Sequence, residues 1–293
     1  MKVLIINIDS KIPNIALKKI EKYHLDRGDE VVWDFPLMKY EAGKIYVSCV
    51  FSWNREKCLE YEGAIIGGSG WDLKTELPLE IERIKLHINL GFTTRGCIRK
   101  CGFCIVPEKE GGIKLVGDLL DLWDGKSKKI ILLDNNILAL PDHFNLICKQ
   151  SRDNKINIDF NQGLDHRLLT DDIAKELKSV SCKHHRFAFD HPSYIGAVEK
   201  AINILHRHGM RYNFWYVLVG YDTTIKEDLF RLNYLRDRKE RVFVQRYRRD
   251  PIYIPMAAWA NNHSWFAKMT FDYFIYNHSK GIKYKHLYNQ EVY

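Results

Sequence analysis

The sequence has no long hydrophobic run. Its longest apolar stretches, Lys2–Ile8 and Ile130–Leu133, fall far short of the roughly 20 residues needed to cross a bilayer, so no membrane partner is expected. A signal-peptide pattern is also missing: Met1-Lys2 leads into Val3–Ile6 and then Asn7 and Asp9, with no small-residue cleavage site. A cytoplasmic protein is the expectation. There is no low-complexity tract and no repeat of fixed period. The glycine-rich turn Gly67-Gly68-Ser69-Gly70 lacks the G-x-G-x-x-G spacing and helix opening of a dinucleotide fingerprint, and reads as a tight strand exit. The seven cysteines are an odd number, and three of them fall within eight residues. A disulfide framework is therefore not expected, and a metal or redox site is the better reading.

Core-forming material is plentiful. Hydrophobic residues make up 46% of the 293 positions and aromatics 13%, which excludes wholesale disorder. The apolar run Val3–Ile8, helical spacing over Ile15–Leu25 and a second run at Glu30–Trp33 predict a β-α-β opening on a parallel sheet. Ile45–Phe51 and Ala64–Ile66 are predicted to extend it, giving a small Rossmann-like module over residues 1–80 that ends near Leu77-Pro78. Larger units follow from Leu86. Strands are predicted at His87–Phe92, Lys129–Leu133, Asn157–Phe160, Arg186–Phe189, Trp215–Val219 and Val242–Gln245. Helices are predicted at Val116–Trp123, Asp142–Ser151, Asp171–Ser179, Tyr194–His208 and Lys226–Arg236. This alternation fits an α/β class and a partial (β/α)6 barrel of the TIM type over residues 86–250, whose functional groups belong on the loops after the strands. Residues 251–293 form an aromatic, basic helical segment, with Pro255–Ala267 predicted as one helix.

The densest chemical signal is Cys97-Ile98-Arg99-Lys100-Cys101-Gly102-Phe103-Cys104. Three thiolates at this spacing can wrap one soft metal or an iron–sulfur cluster. Three ligands in place of four leave a distant cysteine to complete the set, or a metal position open to a substrate. A zinc knuckle or an inert cluster is the alternative. The pattern C-x-x-x-C-x-aromatic-C after a barrel strand resembles the radical S-adenosylmethionine (SAM) superfamily. Its continuation Ile105-Val106-Pro107-Glu108 is similar to the methylthiotransferase and cobalamin-domain branches. The resemblance implies a [4Fe–4S] cluster on Cys97, Cys101 and Cys104, with SAM chelating the fourth iron. It implies reductive cleavage of SAM to a 5′-deoxyadenosyl radical, and an electron donor of flavodoxin or ferredoxin type.

Further residues are placed by the same resemblance. Asp134 and Asn135 end the second barrel strand near the SAM amino group, with an Asx turn capping the next helix as the alternative. Gln162 and Arg167 close the third strand, Arg167 suiting the SAM carboxylate. Asp190 ends the fourth strand, where it would hold ribose hydroxyls or else cap a helix. Gly220 permits close approach on the adenine side, and Phe103 matches the aromatic beside adenine. Thr223 and Thr224 ahead of Glu227 are expected to form a helix capping box.

Two features depart from those branches. The first 80 residues offer only Cys49 and Cys58 for a second cluster, so methylthio transfer is not expected. The loop Asp9-Ser10-Lys11-Ile12-Pro13-Asn14 has no histidine to serve as a lower cobalamin ligand. Cobalamin is possible on this module, but no bound cobalamin is the expectation. Cys148 and Cys182 read as ordinary buried thiols.

Charge is lopsided. Of a net +8, residues 230–293 carry +7, from twelve Lys and Arg against five acids, together with 15 aromatics. Basic groups interleaved with aromatics, as in Arg246-Tyr247-Arg248-Arg249, suit phosphate contacts and base stacking. RNA or a nucleotide-like molecule is the expected substrate. Modification of a small molecule or peptide, and a non-enzymatic iron–sulfur binding or sensing protein, are the alternatives. The competing reading of the aromatics is that they seal the open side of an incomplete barrel.

Overall fold

In the computed structural model, which describes residues 1–288, the chain separates into two compact units, Met1–Leu133 and Asp134–Tyr293. Glu291, counted in the charge balance above, and the rest of the last five residues lie outside the described part.

The first unit opens with β1 (Lys2–Asn7), α1 (Ile15–Leu25) and β2 (Glu30–Trp33), followed by β3 (Lys44–Ser48) and β4 (Ile65–Gly67). These strands form one parallel sheet in the order β2-β1-β3-β4. The central strand is buried on both faces: Val3 and Ile5 pack with Leu17 and Ile20 of α1, while Leu4 and Ile6 pack with Val47, Cys49 and Cys58. That two-sided burial explains why β1 reads as an unbroken apolar run and not as an alternation. Helix α1 begins at Asn14, whose side chain accepts the Leu17 N–H. The glycine-rich turn is the predicted tight exit. A Cβ on Gly68 would lie 2.3 Å from the Cys49 carbonyl oxygen, and one on Gly70 would lie 2.5 Å from the Phe51 carbonyl carbon. The chain's own β3 exit occupies the space that a dinucleotide loop would leave for phosphate.

The remainder of this unit carries α2 (Leu79–Glu82), β5 (Leu90–Gly91), β6 (Thr94–Arg95), α3 (Val106–Lys109), β7 (Lys114–Leu115) and β8 (Lys129–Leu132). Strand β5 pairs parallel with β8, and β6 antiparallel with β7. Two expectations fail here. The strand at His87–Phe92 shrinks to two residues, with His87 and Asn89 in left-handed conformations that break regular pairing. Val116–Trp123 is not helical. Asp118 draws the Leu120 and Asp121 N–H groups onto its side chain, and this local turn competes with a helix.

The second unit alternates α4 (Pro141–Asn154), β9 (Asn157–Phe160), α5 (Asp171–Ser179), β10 (Arg186–Ala188), α6 (Ile195–Arg207), β11 (Phe214–Val219), α7 (Ile225–Asp237) and β12 (Arg241–Arg246). Strands β10, β11 and β12 form a parallel sheet in chain order. Phe187, Trp215, Val217, Val219, Val242 and Val244 line its buried face. The C-terminal segment comprises α8 (Tyr253–Asn261), α9 (His263–Lys268), α10 (Phe271–Asn277) and α11 (Ser279–Ile282). The single helix predicted over Pro255–Ala267 is broken at Asn262, which ends α8 in an extended conformation and caps α9 by accepting the Trp265 N–H. No helix among the described residues is long and apolar enough to cross a membrane.

Candidate cofactor and substrate site

The cysteine run projects from the two-stranded ladder of β6 and β7 in the first unit. The base of the loop is tightly closed. Gly96 adopts φ +82°, and a Cβ there would meet the Gly112 carbonyl oxygen at 2.3 Å, so only glycine permits this crossing. Cys97 donates its N–H to the Gly111 carbonyl. Arg95 grips Glu110 with both arms of its fork, at 2.8 and 2.7 Å, a bidentate pair of fixed geometry. From this base the run passes through Cys97, Cys101 and Cys104, each half-buried, with Ile98 and Ile105 exposed beside them. The Arg99 N–H points at Cys97 Sγ, 3.3 Å away, and the Cys104 N–H bonds the Cys101 carbonyl.

The other cysteines differ in kind. Cys49, Cys58 and Cys148 are buried. Burial, with Asp9 close by, pushes Cys49 up to about 12, and burial likewise pushes Cys148 up to about 12. Both are held as neutral thiols in the unliganded chain. Cys182 is half-buried, and burial raises it as well. Among the described residues no three Cys, His, Asp or Glu side chains are gathered as a single-ion cage. The donor set of the run suits an iron–sulfur cluster in type and exposure: three accessible sulfurs on one clamped loop, one already receiving an amide hydrogen bond of the kind that tunes cluster thiolates.

The second unit collects polar side chains from the segments that follow β8, β9, β10 and β11. Asp134 and Asn136 are buried and Asn135 is half-buried. Asn136 makes no capping bond to the turn that follows it; its amide donates to Asp165 at 3.3 Å. Asp165, buried beyond β9, also accepts Arg167 Nε at 2.7 Å. The Arg167 guanidinium lies over the Tyr194 ring, 5.1 Å from its centre. Gln162 is exposed in the turn that follows β9.

Asp190, after β10, is not a helix cap. Its carboxylate accepts the Leu218 N–H of β11. Burial pushes its pKa up, against the lowering effect of that bond and of Arg231 and Arg167. Gly220, after β11, has φ +78°, and a Cβ there would lie 2.7 Å from the Tyr253 ring of α8, so an aromatic of the protein itself fills that approach. Thr224 and Glu227 form the predicted capping box, while Thr223 bonds Asp228.

Sequence reasoning missed the device beneath these positions. Arg231 of α7 is fully buried and donates to the carbonyls of Phe189 and Leu218, at 2.6 and 2.8 Å, and to Asp228. Asp228 in turn accepts the Gly220 N–H. One ion pair therefore ties the exits of β10 and β11, where Asp190 and Gly220 sit. A signal was present: positions 228, 231, 232 and 235 share one helical face, so Asp228 and Arg231 fall in the stripe that carries Leu232 and Leu235.

Cys97, Cys101, Cys104 and Phe103 thus belong to the first unit. Asp134, Asn135, Gln162, Arg167, Asp190 and Gly220 belong to the second, where Arg167 and Asp190 are joined through shared charge and Gly220 through the Arg231 pair. No profile of a known protein family matches this chain, and no curated protein matches its sequence. Among solved structures, the fold resembles that of TsrM from Kitasatospora setae, a radical S-adenosylmethionine methyltransferase with cobalamin and a [4Fe–4S] cluster bound. The TM-score is 0.61 at 12% sequence identity, over 84% of this chain and 74% of that one. The mixed α/β architecture with a parallel-sheet module at its start is accordingly shared with a radical SAM protein.

Proposed function

We propose that this chain is a radical SAM enzyme acting on RNA or a nucleotide-like substrate. The observation that carries the reading is the clamped loop with Cys97, Cys101 and Cys104, in a chain whose fold resembles a radical SAM protein. These three thiolates would hold a [4Fe–4S] cluster. When bound and reduced, such a cluster supplies the electron that cleaves SAM and yields a 5′-deoxyadenosyl radical. A small reductant of flavodoxin or ferredoxin type would deliver that electron, and a reducing cytoplasm suits half-buried free thiols.

The remaining residues serve binding and orientation. Arg167, its fork steadied by Asp165, would pair with the SAM carboxylate. Asp134, Asn135 and Gln162 would accept or donate around its amino group. Asp190 would hold ribose hydroxyls, with Phe103 on the adenine side. The basic, aromatic last quarter of the chain supports the substrate class.

The test is anaerobic reconstitution with iron and sulfide, followed by dithionite and SAM. Release of 5′-deoxyadenosine is expected, and Cys101→Ala should lose both the brown chromophore and that release, whereas Cys148→Ala keeps both. An intact cluster with no release of 5′-deoxyadenosine would overturn the reading in favour of a binding or sensing protein.

A second reading, with cobalamin on residues 1–80, is favoured by the corrin present in the similar structure. Because the loop Asp9–Asn14 has no histidine, the corrin would lack a lower ligand from that loop. Asp9 is itself committed to the Val50 and Phe51 N–H groups and the Asn54 amide. Corrin absorbance retained through purification decides between the two readings.

A further inference from the structure

Strand β12 is the last in its sheet, and its two faces differ sharply. Val242 and Val244 are buried, while Arg241, Phe243, Gln245 and Arg246 are exposed. The ladder runs one residue further, since the Tyr247 N–H bonds the Val219 carbonyl at 3.0 Å. Alternation therefore puts Arg241, Phe243, Gln245 and Tyr247 on one open face. Phe243 is 42% exposed and Tyr247 47%, unusual for large rings on a sheet. Both are braced from the side by an edge-on tyrosine: Tyr216 against Phe243 at 6.1 Å, Tyr221 against Tyr247 at 4.7 Å. Tyr216 is fixed in turn by its hydroxyl bond to the Asn161 carbonyl.

The charge on this face is one-sided. Asp159, which points to the same region from β9, is neutralised by Arg186. Asp190 lies within reach of the Arg231 and Arg167 charges, and Asp250 is engaged by the Ile252 N–H. Arg241 on this face makes no ion pair among the described residues, nor do Arg246, which alternation turns to the other side at the end of the strand, and Arg248 beyond it; all three are exposed.

We propose that this face of β12 and its exit form a track for single-stranded RNA, with Phe243 and Tyr247 as stacking platforms and Arg246 and Arg248 as phosphate contacts. The proposal rests on the nucleotide-like substrate reading above and deepens it by naming the surface. Two braced rings about 13 Å apart along an extended strand match unstacked bases, which single strands present and duplexes conceal. An acidic protein would satisfy the arginines but would give the two exposed rings nothing to stack on. Gln245, between the rings, has both donor and acceptor to offer a base edge.

The experiment uses the full chain with its cluster reconstituted, and follows the anisotropy of a labelled single-stranded RNA of about ten nucleotides at about 50 mM salt. Phe243→Leu and Tyr247→Leu each keep apolar bulk but remove the stacking ring, and should weaken binding roughly 5- to 100-fold. Arg246→Ala with Arg248→Ala should lower the slope of log affinity against log salt by about 1.4. Lys149→Ala, on the exposed side of α4 where the lysine pairs with Asp153, is the control and should change neither. Ring variants that bind as tightly as the parent, a slope unchanged by the arginine pair, or no RNA binding at low salt would each overturn the proposal. Preference for an acidic reductant that competes at the same residues would also overturn it. Release of 5′-deoxyadenosine without RNA, measured on the same preparations, separates failure of this surface from failure of the enzymatic reading.

Discussion

A guanidinium with no exposed surface is costly unless every proton finds an acceptor, and Arg231 meets most of that demand with two strand-end carbonyls and Asp228. Burial pushes the pKa of Asp228 up, opposed by the Thr223 hydroxyl, Arg231 and the Gly220 N–H. Breaking such a pair strands a buried charge, so Arg231→Met should cost about 3–5 kcal/mol in urea unfolding. The double variant Arg231→Met with Asp228→Leu should regain only part of that loss. It removes the stranded carboxylate, but the Phe189 and Leu218 carbonyls and the Gly220 N–H still lack partners. Full recovery in the double variant would show that the pair acts by charge alone and does not hold the strand exits. The cysteine run, by contrast, stands out in the sequence because three of the seven cysteines fall within eight residues. Arg231 was not: an Asp and an Arg three apart on a helix look like a solvated surface pair unless the apolar stripe is traced through them.

The same contrast holds for elements. Helices α1 and α5 and strand β9 occupy the spans their periodicity predicts, because their apolar faces meet continuous partners. Val116–Trp123 and Pro255–Ala267 were misread because Asp118 and Asn262 redirect local N–H groups, an effect that apolar counting does not register. The free edge of β12 depends on another such side chain. Asn261, the last residue of α8, accepts the Val244 N–H at 2.6 Å and donates to the Val244 carbonyl at 3.2 Å. It imitates a neighbouring strand for one residue and blunts an edge that would otherwise template pairing. Asn261→Ala leaves both groups of a buried residue unpaired and should cost about 1–3 kcal/mol. Hydrogen exchange at the Val244 amide should accelerate more than global unfolding accounts for. Equal protection of that amide in variant and parent would show that the edge is satisfied by other means.

Considered as a whole molecule, the chain's charge and aromatic excess both gather near its C-terminal end, and the two parts of that excess separate in space. The basic groups and a few rings face outward. Met256, Trp259, Phe266, Phe271, Phe274 and Ile275 are almost wholly buried, with Trp259 set against Phe266 and Phe271 at 5.0 and 5.4 Å. Trp259, Phe266, Phe271 and Phe274 are therefore core rings, while the open face of β12 keeps its own. Burying each large side chain stabilises by about 1.5–3 kcal/mol. Six such residues together match the entire stability of an ordinary domain, about 5–15 kcal/mol. A chain ending at Asp250 loses this cluster and the Asn261 cap together, although it keeps Cys97, Cys101, Cys104, Arg167 and Asp190. It should aggregate on size exclusion, bind a hydrophobic dye and unfold without a cooperative transition, even with the cysteine run intact. A truncated protein that stays monomeric and melts as sharply as the parent would mean that residues 251–288 are an appendage, and that the core of the second unit closes without them.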